Sequence, residues 1–272
     1  VKSASAYGLM SKIKTFRAMD PVFEQMIEFE AGLSDDDAIL KSEINFALFK
    51  AYDDFGDVDK AFNALEQANR YAGRYVDDVM PRQAAVHDFM RTSYLSQQGH
   101  DFSQAGFDSD IPVFIVGMSR SGTTFTEQFL GMHTDVYAAG ELLLFGLAEK
   151  EYGGVVTPST AKNIGETYVK SIQDLAPDGQ PVKRITNKTP ANYLNIGNIL
   201  RSLPNAKIIN CVRNPIDTCF SCYKQNFLMG HAWSYDLNAA MHQYNLYHDL
   251  MNFWKEVYPD RIYDVKYEGL VT

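Results

Sequence analysis

Nowhere in the sequence do ~18 apolar residues follow one another, the run a helix needs to cross a bilayer, so no transmembrane segment is expected. The opening Val1-Lys-Ser-Ala-Ser-Ala-Tyr has no apolar core of a secretion signal. It also lacks an initiator Met, so the natural N-terminus is expected upstream. Cysteine is scarce, with three residues, Cys211, Cys219 and Cys222. An odd, clustered set is not a disulfide framework, and a reducing, cytoplasmic compartment is the expectation. Cys219-Phe-Ser-Cys222 has CxxC spacing but no second pair to complete a zinc site, so packed helix thiols are expected and no metal. A basic excess is missing as well: the formal net charge is -9. That disfavours non-specific nucleic-acid binding as the main activity and confines any anion site to a local basic cluster.

One more absence sits inside the most informative stretch, Pro112 to Leu130. Val113 to Val116 is a short β-branched run fit for a buried strand. Gly117 and Gly122 bracket a tight turn, and Thr123 to Leu130 reads as a helix with Phe125, Phe129 and Leu130 turned inward. A strand, a Gly-bracketed loop and a helix N-terminus converge backbone N–H groups on one point, where the helix dipole favours negative charge. The nucleotide-binding pattern G-x-x-x-x-G-K-[ST] is matched by Gly117-Met-Ser-Arg-Ser-Gly122-Thr123-Thr124, except that Thr stands where Lys belongs. That Lys serves the β- and γ-phosphates of a triphosphate. Its absence argues against an ATPase or GTPase, and the loop suits a 5′-phosphate group with Arg120 as its internal cation.

Residues 1–100 have few β-branched clusters and read as helices. Asp20-Pro21 opens one carrying Phe23, Met26, Ile27 and Glu30. Ser34-Asp-Asp-Asp37 caps the next, with Ile39, Leu40, Ile44, Leu48 and Tyr52 as its apolar positions. Phe55-Gly56-Asp57 turns the chain into a return helix, Val58 to Tyr71. Leu48, Tyr52, Gly56, Ala61, Leu65 and Ala68 fall at the spacings of a tetratricopeptide unit, with Asn45 at its usual Trp position. An ordinary helical hairpin fits these residues equally well, and one repeat cannot build a long groove. A further helix covers Gln83 to Leu95. The linker Gly99 to Gly106 places a boundary near 105, giving a helical region 1–105 and an α/β domain 106–272.

From residue 111 strands alternate with helices, which predicts an α/β, doubly wound parallel sheet. Val136 to Ala139 forms a short strand that leaves Glu141 near its carboxyl end, where open sheets bind ligands. Glu141 is read there either as a catalytic acid–base group or as a helix cap or surface charge. Lys188 closes a second strand before Pro190, and a helix is expected over Ala191 to Leu203, packing through Tyr193, Leu194, Ile196, Ile199 and Leu200. Lys207 to Val212 is a buried strand ending at Arg213, and Asn214-Pro215 opens a helix carrying Ser221. An Arg fork with a hydroxyl suits a second phosphate; alone, it is equally a capped corner. The aromatic stretch Trp233 to Trp254 reads as helix packing as readily as acceptor stacking.

Taken in order, these stretches resemble the sulfotransferase family. Ser119-Arg-Ser-Gly-Thr-Thr124 looks like its 5′-phosphosulfate loop, and Arg213 through Ser221 looks like its 3′-phosphate motif. Glu141, Asn187-Lys188 and Val265-Lys-Tyr-Glu268-Gly-Leu-Val271 are similar to the tyrosylprotein-sulfotransferase branch, and the chain most resembles bacterial members with N-terminal tetratricopeptide repeats. The resemblance spans roughly residues 40–272. It implies a P-loop-like fold binding 3′-phosphoadenosine 5′-phosphosulfate (PAPS) as co-substrate, without a metal, and transfer of its sulfuryl group to an acceptor hydroxyl. By this carry-over Ser119, Arg120, Ser121, Gly122, Thr123 and Thr124 hold the 5′ end. Arg213 and Ser221 hold the 3′-phosphate, and Tyr267 lies near the adenine. Lys188 and Arg120 stabilise charge on the sulfuryl group and the departing phosphate, and Glu141 takes the acceptor proton.

The sequence departs from the family at several points. Ser119 stands where Pro is common, and Thr134 follows His133 where Pro is frequent. Leu142 occupies the place of a second acid, which leaves the base register open by one position. Gln225 stands at an Arg position, with Lys224 as the nearest cation. The family pattern continues beyond Thr272 into a closing segment, so truncation at the C-terminus is expected. The acceptor class is open, and the repeat-like helices are a candidate surface for a protein or peptide partner. Two other readings stand beside this one: a P-loop phosphotransferase, which needs the missing Lys and an acidic Mg²⁺ ligand, and a catalytically degenerate scaffold.

Overall fold

The computed structural model of the chain describes residues 3–74, 79–177, 182–227 and 230–272. It begins with helices α1 (Ala4–Ile13), α2 (Pro21–Ala31), α3 (Ala38–Asp54), α4 (Val58–Gly73) and α5 (Val79–Leu95). Local chemistry accounts for their ends. The Asp20 side chain accepts from the Val22 amide at 2.9 Å and Pro21 needs no partner for its nitrogen, so α2 starts where expected. Gly56 takes φ +79° in the turn out of α3, and the Asp57 carboxylate accepts from the Lys60 amide to begin α4. Asp37 behaves otherwise than expected. Its carboxylate makes no bond to the helix it precedes; it accepts from the backbone and hydroxyl of Ser34, at 3.0 and 2.9 Å, and so braces the preceding turn. Ile39 and Leu40 also face outward, 63% and 38% exposed, because the buried face of α3 runs through Ile44, Ala47, Leu48 and Ala51.

The chain then alternates: β1 (Pro112–Gly117), α6 (Thr123–Gly131), β2 (Val136–Ala138), α7 (Leu144–Glu151), α8 (Ala161–Gln173) and β3 (Arg184–Asn187). A 3₁₀ turn (Pro190–Asn195) leads into α9 (Ile196–Ser202), followed by β4 (Lys207–Val212) and α10 (Pro215–Tyr223). A second 3₁₀ turn (Ala232–Tyr235), α11 (Leu237–Val257), β5 (Ile262–Lys266) and α12 (Glu268–Val271) complete it. The helix expected over Ala191 to Leu203 is thus divided, with Pro190 setting a tighter first turn.

By its contacts the chain forms two compact units, Val1–Arg82 with Cys219–Gln243, and Gln83–Thr218 with Tyr244–Thr272. The first is all-helical. Its core joins α1 to α4 around Tyr7, Met26, Ile44, Leu65 and Tyr223, with Phe23 edge-on to Tyr52 and Phe55, both at 5.1 Å. The second is the α/β unit. Its five strands are all parallel, in the order β2-β3-β1-β4-β5. β1 is central and buried along its whole length, as its apolar run requires. Phe114 stacks on Tyr168 at 5.3 Å, and Phe145 closes the cluster edge-on to both. The order reverses at β1, with β2 and β3 on one side and β4 and β5 on the other. In such sheets the crevice at the carboxyl ends of the strands is the ligand site.

Candidate active site

The carboxyl ends of β1, β4 and β5 lie side by side at that edge. In register Gly117 of β1 pairs with Cys211 of β4, and Val212 pairs with Lys266 of β5. Arg213 and Tyr267 therefore leave the sheet side by side, level with the start of the loop that follows Gly117. The loop is shaped by positive φ angles at Gly117 (+148°), Arg120 (+69°) and Gly122 (+97°). Ser121 is buried, and its hydroxyl donates to the Met118 carbonyl at 2.7 Å, pinning the turn from inside. Ser119 is half-buried, Arg120 and Thr124 are exposed, and Thr123, the first residue of α6, is buried.

Arg213 clasps this loop. Its Nη1 donates to the Arg120 carbonyl at 3.2 Å, and its guanidinium lies over the Tyr267 ring at 4.8 Å. Tyr267 in turn closes on Gly122: a Cβ added there would stand 2.4 Å from Tyr267 Cδ2. No side chain fits at Gly122, for steric as well as torsional reasons. The Tyr267 amide donates to the Val212 carbonyl at 2.8 Å. Glu268 accepts from the Asn214 amide at 2.9 Å, and this bond holds its carboxyl below the usual range. Ser221 lies eight residues beyond Arg213 on α10, half-buried, in the part of that helix counted with the helical unit.

On the other side of β1, Lys188 and Glu141 come together. Lys188 Nζ is 2.7 Å from Glu141 Oε1, with the lysine side chain 9% exposed and the glutamate 64%. The backbone around Glu141 is tied to β3 and its exit. The Lys188 amide donates to the Gly140 carbonyl at 2.8 Å. The Leu142 amide donates to Thr189 Oγ1 at 3.1 Å, and the Leu142 carbonyl accepts from Asn187 Nδ2 at 3.1 Å. Asn187 is fully buried and also donates to the Tyr168 hydroxyl at 3.2 Å. Glu141 is thus an exposed acid on a fixed backbone, facing a buried cation.

The inward face of α6 differs from expectation. Phe125 and Phe129 are 40% and 58% exposed and Leu130 is only half-buried, whereas Thr123, Thr126 and Glu127 are buried. The helix is anchored through polar contacts: Cys211 Sγ donates to Thr126 Oγ1 at 3.2 Å, and Glu127 Oε1 accepts from Thr186 Oγ1 at 2.6 Å and from the Gly140 amide at 3.0 Å. Glu127 and Thr186 lie outside the sequence motifs. The signal available was position, since Glu127 shares a helix face with Thr123 at the cradle end. The three cysteines are free and buried, and burial pushes the Cys211 thiol up to about 11. Among the described residues no cluster of three or more His, Cys, Asp or Glu is placed to hold a metal. Among them, too, no helix is long and apolar enough to cross a membrane.

The family model described as "Sulfotransferase family" matches residues 112–272, the stretch from β1 through the last helix. The chain belongs to the sulfotransferase family. An uncharacterized protein of Aquifex aeolicus (strain VF5) is 33% identical over 251 residues, which are 85% of this chain and 32% of that protein. The chain therefore spans about a third of that relative's length. A sulfotransferase from Mycobacterium tuberculosis H37Rv is similar in structure at a TM-score of 0.40 and 11% identity, covering 100% of this chain and 86% of that one, a distant likeness. In this sulfotransferase-family chain the matched region contains every strand of the sheet, with the loop, Lys188, Arg213 and Tyr267.

Proposed function

We propose that the chain carries the transfer site of an enzyme that moves a sulfuryl group from PAPS to an acceptor hydroxyl. The observation that carries this reading is the loop and its clasp. An anion cradle without a Lys is closed by Arg213 at 3.2 Å from its backbone and by Tyr267 over Gly122. A cradle so tight that Gly122 admits no Cβ fits a single 5′-phosphate group approached by backbone N–H. Ser119, Arg120, Ser121, Gly122, Thr123 and Thr124 would hold the 5′ end. Arg213 would hold the 3′-phosphate, the feature that separates this donor from ordinary nucleotides, and Tyr267 offers a ring to the base.

In the transfer, the acceptor oxygen bonds to sulfur as the bond from sulfur to the bridging oxygen of the 5′-phosphate breaks. The acceptor proton passes to Glu141, and the electron pair of the broken bond leaves on the phosphate. A hydroxyl is a weak nucleophile without a base, and a departing phosphate gains charge that fixed cations stabilise. Lys188 has three N–H donors, of which Glu141 takes one. Its buried ammonium can serve the donor's oxygens while the acid beside it receives the proton. Arg120 lies in the loop itself.

The acceptor presents a hydroxyl, as peptide tyrosine, sugar, lipid and phenol all do. The free thiols fit a reducing, cytoplasmic compartment. The α3–α4 hairpin is proposed as a tetratricopeptide-like unit that engages a protein or peptide, and the division at 105 into helical region and α/β domain is part of the same proposal. Incubation with ³⁵S-labelled PAPS and a panel of tyrosine peptides, phenols and glycans tests the reading. Label should move to an acceptor in the presence of a chelator, and phosphoryl transfer from ATP that needs Mg²⁺ would contradict it.

A further inference from the structure

Glu127 takes no part in the transfer described above, yet the residue is 6% exposed and its carboxylate bonds to the backbone just before Glu141. It projects from α6, the helix whose N-terminus forms the cradle. Its Oε1 receives two donors, the Gly140 amide at 3.0 Å and Thr186 Oγ1 at 2.6 Å. Thr186 Oγ1 receives the Ala139 amide at 3.3 Å. The two residues before Glu141 are therefore held at Ala139 N through Thr186, at Gly140 N through Glu127 and at Gly140 O through the Lys188 amide. Gly140 itself takes φ +75°, a conformation that lets its amide face α6 while its carbonyl faces β3.

A buried carboxylate is an expensive choice at a helix–sheet contact. Apolar residues of similar volume pack there at lower cost, and removing one partner of a buried charged group is strongly unfavourable. Such a charge is explained by the donors it aims. Here one oxygen joins the cradle helix to the backbone immediately before Glu141.

We propose that Glu127 is a positioning residue that holds Glu141 in register with the anion loop. The proposal rests on the reading of Glu141 as the base. Glu127 touches neither donor nor acceptor in this scheme; it fixes where the base stands relative to the group that α6 binds. Loosening it leaves the loop able to bind nucleotide but sets the base adrift, and a displacement of about 1 Å costs on the order of 100-fold in a positioned reaction.

Three readouts on the full chain separate these effects. In Glu127→Ala, hydrogen exchange at the Gly140 amide should rise more than tenfold, reflecting the lost bond. Affinity for adenosine 3′,5′-bisphosphate, read by calorimetry, should stay within a few-fold. Release of that bisphosphate from PAPS, with the same acceptor panel, should fall in kcat by about 10–100-fold with the donor KM little changed. Glu127→Gln keeps an Oε1 acceptor and should recover most of the protection and most of kcat, so a folding failure in the alanine variant does not stall the test. Unchanged exchange at Gly140, or a loss of bisphosphate affinity in step with kcat, would overturn the proposal. Absence of donor turnover in the wild type sinks the sulfuryl-transfer reading instead, and exchange at Gly140 then decides the brace alone.

Discussion

Lys188 Nζ lies 2.7 Å from Glu141 Oε1, a buried ammonium against an exposed carboxylate at the carboxyl edge of the sheet. Each group meets the other's charge before any ligand arrives, and in the proposed transfer each has a separate task. Lys188→Ala should lower kcat by about 10²–10³-fold through lost stabilisation of the leaving oxygen. Glu141→Gln should lower it by about 10²–10⁴-fold through the lost base. Because the two act on one transfer, the double variant should fall well short of the product of the singles, as kinetics on all four proteins will read. Equal turnover in Glu141→Gln and wild type would move the base elsewhere.

Gly122→Ala tests the cradle's shape. The new methyl would meet Tyr267 at 2.4 Å, on a backbone at φ +97°. A loss of about 1–3 kcal/mol in stability and weakened nucleotide binding are expected, from thermal unfolding and calorimetry. Adding Tyr267→Ala should relieve the collision but not the torsional strain, so recovery should be partial.

Glu149 gives the chain a pH dependence. Burial pushes its carboxyl up to about 7 from the ordinary glutamate value of 4.5, against a smaller opposing effect of the bond from Asn198 Nδ2 at 2.8 Å. With the folded value raised, the folded state holds the proton more firmly than the unfolded chain. Stability from this group is greatest below pH 4.5, falls as pH rises from there to about 7, and levels off above it. The difference amounts to about 3 kcal/mol. Glu149→Gln should flatten the profile across that window and raise the melting temperature at pH 8 relative to wild type. An unchanged profile would show that Glu149 titrates normally.

The strand, loop and helix from Pro112 onward were legible because the chemistry is local. A β-branched run, two glycines at a turn and a hydroxyl-rich helix start each have one conformation that suits them, and the spacing of Arg213 after a strand placed it at the right edge. The inward face of α6 was not legible. Hydrophobicity pointed to Phe125 and Phe129, but Thr126 and Glu127 are drawn inward by partners on other strands, Cys211 and Thr186, which no local pattern reveals. The grouping of Cys219–Gln243 with the first helices was equally hidden, since it depends on contacts such as Asn69 Nδ2 to the Tyr223 carbonyl at 3.1 Å, far apart in sequence. Asp37 does stand at the N-cap of α3, but its carboxylate bonds to Ser34, whose backbone and hydroxyl offer two donors nearer than any helix amide.

The central claim is that the site reads a nucleotide with both a 5′- and a 3′-phosphate, and calorimetric titration with adenosine 3′,5′-bisphosphate against 5′-AMP tests it most directly. Arg213 leaves β4 beside the loop with its guanidinium over Tyr267, and a charge-assisted bond to a second phosphate is worth about 1.5–3 kcal/mol. The bisphosphate should therefore bind at least about 10-fold more tightly than 5′-AMP, and Arg213→Ala should remove most of that preference, weakening the bisphosphate far more than 5′-AMP. Equal affinity for the two nucleotides in the wild type would contradict the claim.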